Sequence, residues 1–175
     1  MDSKGGEMNW KNSKRWSDKF ICKITPILGY HFISEPPVEE DRDRNTDLIV
    51  LELNAIRFGC RIRKNSYYNR YPNEFTIRAS VPSGNETEIG KIMNGWGHYF
   101  FYGFANEDET DLADWFIGDL NVLRRWLSEQ KKQGRTKKED WNFKSNGCGD
   151  SDFLVLNKDE LPSNFIFASK SGTKL

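Results

Sequence analysis

The chain has 175 residues, with 26 basic side chains against 26 acidic ones, 14% aromatics and three cysteines, and a mean hydropathy of -0.76. That length suits one domain around one core, and no apolar run approaches the ~18 residues that would cross a bilayer. Zero net charge excludes a domain that coats nucleic acid by bulk basicity, and the widely spaced Cys22, Cys60 and Cys148 supply neither a disulfide framework nor a paired-cysteine metal knuckle.

In chain order, Trp16, Phe20, Ile24, Ile27 and Leu28 recur at three- and four-residue steps, which predicts an amphipathic helix within Ser13 to Ile33. Pro26 should end or kink it, leaving GYHFI as a short strand. After the polar loop EPPVEEDRDRN, Asp47 opens the apolar run DLIVLEL. IRFGCRIRK follows a short turn at Asn54–Ala55, so these two runs are expected to pair as a hairpin. NSYYNRYPN reads as a tyrosine-rich loop and EFTIRAS as a third strand. TEIGKIMNGW reads as a helix capped by Asn85 or Thr87. HYFFYGFA and DWFIGD are further strands on either side of the loop NEDETD, and Leu120 to Gln130 is a helix. DFLVLN and FIFAS look like a closing pair of strands. The expected class is α/β or mixed α+β, with a central mixed sheet flanked by helices. The expected organisation is a single domain over 1–175: a core at about 13–130, a basic linker at 131–147 and a strand pair at 152–169. The first residues lack the apolar stretch of a secretory signal, so a cytoplasmic protein without membrane association is expected.

The charges are blocked. Seven acids lie between Glu35 and Glu52 against Arg42 and Arg44 alone, whereas from Arg57 to Arg78 six cations meet only Glu74. Six acids then run from Glu107 to Asp119, and a basic run follows from Arg124 to Lys138. Each block on its own reads as a solvated face. Side by side, an acidic pocket and a basic surface would suit metal-dependent chemistry on a phosphodiester, with carboxylates on the cation and arginines on the phosphates.

Several residues have chemical potential and a plainer alternative. His31 and His98 lack neighbours at ligand spacing and read as hydrogen-bonded histidines in or near the core. Cys60 alternates with apolar residues and reads as a buried, inert thiol. Asp47 at the mouth of an apolar strand is either a metal ligand or a strand-initiating aspartate. Arg61 and Arg63 project from one strand face ~6.6–7 Å apart, suiting a phosphate backbone or structural carboxylate pairs. With Arg78 they are the candidate nucleic-acid contacts. Glu88 and Lys91 share one side of a helix as an ion pair, or as a metal-binding acid with a phosphate-steadying lysine.

The order helix, strand-opening aspartate, hairpin, third strand, helix, strand resembles the core of the PD-(D/E)XK nuclease superfamily, that is, a restriction-endonuclease-like fold. NTDLIVL is similar to its aspartate strand, which carries the family's metal-binding aspartate onto Asp47. FGCRIRK stands where the family's E-x-K is expected and offers Arg61-Ile62-Arg63 instead, so the second acid is not at its usual address. Glu88, one turn before Lys91, resembles a migrated second acid, with Glu52 a weaker substitute, and Asp18 resembles an acid some members carry in the first helix. The stretch from RIR to GWGHYFFYGF also resembles uncharacterised phage and prophage proteins.

The resemblance implies a magnesium-dependent DNA endonuclease. Asp47 and Glu88 would hold the metal, and Lys91 with Arg61 or Arg63 would stabilise the charge of the transition state. The competing expectation keeps the fold without cleavage. The arginine strand, Tyr67, Tyr68 and Tyr71, and the basic run from Lys131 to Lys138 would then grip nucleic acid. A protein-interaction patch at Trp96 and Tyr99 to Tyr102 is a third option, although that run also reads as a buried strand. Oligomeric state is left open, a homodimer included.

Overall fold

The computed structural model describes residues 12, 14–34, 49–50, 56–81, 84–135, 138–145 and 151–170. After a helical segment at 14–18, the chain forms α1 (Ile21–Phe32), β1 (Ile33–Ser34), β2 (Ile49–Val50), β3 (Phe58–Arg63), α2 (Asn65–Arg70) and β4 (Glu74–Ser80). It continues with α3 (Glu88–Met93), β5 (Tyr99–Ala105), β6 (Leu112–Asp119), α4 (Leu120–Lys132), β7 (Phe143–Ser145), β8 (Asp152–Asn157) and β9 (Ile166–Ser169). The class is mixed α+β, and no helix among the described residues is long and apolar enough to cross a membrane.

The described strands form three sheets. The largest has the order β3-β5-β6-β9, with β3 parallel to β5 and the remaining pairs antiparallel. The second, β4-β8-β7, is antiparallel throughout. β1 and β2 make a short antiparallel pair. A parallel β3–β5 neighbour needs a crossover, and α2, β4 and α3 supply it, leaving β4 in the second sheet on the way.

β5 is apolar at nearly every position because it is covered on both faces. Phe100, Tyr102 and Phe104 join Phe75, Ile77, Leu154 and Leu156 of the second sheet, together with Leu123, Trp126 and Leu127 of α4. Phe101 and Ala105 face the other way, onto Ile62, Leu112, Ile117, Phe20 and Ile24. Phe75 links the two sheets, packing its ring on Phe116 and Phe165 at centroid distances of 5.4 and 5.5 Å. The hydroxyl of the buried Tyr102 accepts from the Thr76 backbone N–H at 3.3 Å.

Several expectations change. The first helix carries its apolar stripe as its periodicity indicates, but it breaks at residues 19–20 and then continues through Pro26 to Phe32. Pro26 and Cys22 both lie on the solvent side, where water can replace the donor that proline lacks. GYHFI is therefore mostly helical, and only Ile33 enters a strand. Of the expected hairpin, residues 47–48 and 51–55, with its turn, lie outside the described residues; β2 pairs with β1, and β3 lies beside β5, whose near-continuous apolar sequence takes a strand on each side. NSYYNRYPN is mainly the helix α2. The stretch 131–147, expected as a linker, contains the end of α4 and strand β7, and β8 and β9 belong to different sheets instead of pairing with each other.

Candidate nucleic-acid interface

Ile62 decides how β3 is set. Its side chain is buried against Phe101 and the first helices, so strand alternation turns Arg61 and Arg63 to the opposite face. In the second sheet, Phe75 and Ile77 point into the core, and the same alternation sends Arg78 outward opposite its cross-strand partner Phe153. The two arginine sources meet there. The guanidinium carbons of Arg61, Arg63 and Arg78 lie 5.6, 5.7 and 5.8 Å from the centroid of the Phe153 ring. Arg63 also sits 4.2 Å from the ring centroid of the half-exposed Tyr67 on α2. Such contacts place cations on the negative faces of aromatic rings.

Glu88, the first residue of α3, reaches this cluster. Thr87, at the N-cap, donates its hydroxyl to the Ala79 carbonyl at 3.1 Å and docks the helix against β4. Oε2 of Glu88 then accepts from Nη2 of Arg61 at 2.5 Å and from the backbone N–H of Arg78 at 2.9 Å. The pair is sheltered, with the Arg61 side chain 15% and the Glu88 side chain 26% exposed. Among the described residues, Glu88 is the single carboxylate in an ion pair with any of the three arginines, and its partner is Arg61. The Nε atoms of Arg61, Arg63 and Arg78 are all buried without a hydrogen-bond partner among the described residues. Burial lowers the Arg78 pKa from its ordinary value, the positive charge of Arg61 lowers it further, Glu88 opposes the shift and Arg63 adds to it. The cluster therefore concentrates more positive charge than its own acid neutralises.

The sequence-predicted residues fall into three groups. Arg61, Arg63 and Arg78 come together as a site. Glu88 joins them as a partner of arginine, not of Lys91, which is exposed and makes no ion pair among the described residues. Asp47 and Glu52 lie outside the described residues. Asp18 pairs with Lys14 at 2.7 Å on an exposed helical surface. Among the described residues, no three histidine, cysteine or acidic side chains gather as a metal-binding group. Phe153 is the site residue that sequence reasoning missed, because within DFLVLN it looks like one more core position. Its alternation with Leu154 marks it as facing away from the core only once the β4–β8 pairing is known.

Other candidates have structural roles or none that the contacts show. The Nδ1 atom of the exposed His98 accepts from the Arg57 backbone N–H at 3.0 Å, tying the start of β3 to β5. Cys60 is exposed, not buried, on β3, yet desolvation still pushes its thiol up to about 11, so it stays protonated at neutral pH. Tyr99 to Tyr102 are largely core, whereas Trp96 is exposed. In the basic run, Arg135 stacks on Trp141 at 4.4 Å and donates from Nε to the Asp140 carbonyl at 3.1 Å. Arg124 donates to the carbonyls of Ile92, Trp96 and Gly97, which makes it a clamp between α4 and the end of α3.

No protein-family model, no curated protein and no solved structure matches this chain.

Proposed function

We propose that this chain binds nucleic acid, with DNA as the first substrate class to test, by holding phosphate at Arg61, Arg63 and Arg78. The observation that carries the reading is the convergence of three guanidinium groups from two sheets on one aromatic ring, with Glu88 as their single described carboxylate. Arginine forks match phosphate oxygens, and half-exposed Tyr67 adds an aromatic surface for a base. Fluorescence anisotropy with labelled single- and double-stranded DNA over a salt series tests this. Affinity should fall steeply with salt, and Arg63→Ala and Arg78→Ala should each flatten the dependence by about 0.7–0.9 in log–log slope. Binding that is absent, or unchanged in both variants, would sink the proposal.

Cleavage is the second reading, and its support is the resemblance together with the position of Glu88 beside the arginines. Against it, β2 pairs with β1 and β4 lies in the second sheet, and Asp47 lies outside the described residues. In this reading Asp47 and Glu88 share magnesium, and Lys91 steadies the phosphate. Glu88→Gln separates the two. Simple binding predicts DNA affinity that needs no magnesium in the parent chain or in this variant, whereas the nuclease reading predicts loss of magnesium-dependent cleavage in that variant and in Asp47→Asn.

A further inference from the structure

Among the described residues, three guanidinium cations around Phe153 meet one carboxylate, an excess of two positive charges. Glu88 lies between Arg61 and the Arg78 backbone, so its carboxylate fixes the position of Arg61 and leaves Arg63 and Arg78 without an acidic partner among the described residues. Among the described residues no acceptor meets the three Nε atoms at the inner edge of the cluster. Held that way, the charge opposes folding. An anion at the guanidinium tips would relieve it.

The layout also bears on which anion fits. A groove for an internal backbone spreads its cations along the path of the strand, since single-stranded phosphates carry one negative charge apiece at regular spacing. Here the cations approach a single point from two directions, Arg61 and Arg63 along β3 and Arg78 from the second sheet. A phosphodiester brings one negative charge to that point, whereas a phosphate monoester brings about 1.5–2 at neutral pH and three free oxygens. Three arginine forks suit the second group better.

Resting on the nucleic-acid reading above, we infer that the arginine cluster takes the terminal phosphate monoester of a strand in preference to an internal phosphodiester. Arg63 and Arg78 supply the unneutralised charge, and Glu88 acts as a positioning residue for Arg61.

Competition measurements with the full chain test this. An internally labelled strand is displaced by unlabelled strands of the same sequence bearing a 5′-phosphate, a 3′-phosphate or neither. One of the phosphorylated strands should compete about tenfold better than the strand without, a difference of about 1.4 kcal/mol, and which of the two does so identifies the end recognised. That preference should shrink as pH falls through about 6, where the monoester loses its second charge and an internal diester does not titrate. Arg63→Ala or Arg78→Ala should abolish the preference, with folding verified by circular dichroism. Arg63→Lys, which keeps the charge and loses the fork, should weaken it. If all three strands compete equally, the inference fails and the nucleic-acid reading stands. If no strand binds, the reading itself fails and takes the inference with it.

Discussion

Gly118 of β6 lies against the ring of Phe165, and a Cβ there would stand 2.5 Å from the ring's Cζ. Phe165 is fully buried and stacked on Phe75, so neither ring has room to retreat. Gly118→Ala should therefore destabilise by about 1–3 kcal/mol and lower Tm by about 2–4 °C for each kcal/mol in a chain of this size, measurable by calorimetry. Nothing in DWFIGD marks this glycine, because the ring that restricts it comes from a distant segment. The arginines differ in this respect. Alternation with Ile62 already placed Arg61 and Arg63 on one face, and the structure retains that. The role of Glu88 was only half legible: its position on the helix could be read, but its partner could not, since Arg61 is 27 positions away on strand β3.

Local signals do well for the elements whose pattern is self-contained. β4 matches EFTIRAS from end to end, and β5 and α4 fall within a few residues of their expected bounds. Capping explains the start of α4, where the Asp119 carboxylate accepts from the backbone N–H groups of Asn121 at 2.7 Å and Val122 at 3.3 Å. Asp119→Ala should cost about 0.5–2 kcal/mol, read as a shift in the denaturant midpoint with an unchanged slope. The elements read differently from sequence are those whose state depends on neighbours. α2 comprises six residues without an acid in its first turn or a side-chain cap, so its helicity rests on packing such as Tyr68 against Phe104 at 5.3 Å.

At the scale of the whole molecule, Glu109 joins three parts of the chain. Its carboxylate accepts from Trp16 Nε1 at 2.7 Å and Lys19 Nζ at 2.8 Å, and Lys64 Nζ, just beyond β3, lies 3.7 Å away. The hydrogen bond from Lys19 lowers its pKa first, then that from Trp16, with the positive charges of Lys19 and Lys64 adding to the shift. A carboxyl whose pKa is lower in the folded state stabilises the fold above its unfolded value of about 4.3, and that contribution disappears as pH falls through the folded value. Glu109→Gln should accordingly lower Tm near neutral pH, and the gap from the parent chain should close in acid below about pH 4. Thermal melts across that range check it. The sequence by itself determined the mixed α+β class, the apolar stripes that became the two core clusters, and the basic strand face, because periodicity and charge are properties of neighbouring residues. Only the tertiary structure decided which strands pair, that Glu88 pairs with arginine, and that Arg78 and Phe153 form one cluster with Arg61 and Arg63. Those depend on which segments meet across the fold. Because side-chain direction alternates along a strand, the pairing partner sets which residues share a face, and no local pattern encodes that choice.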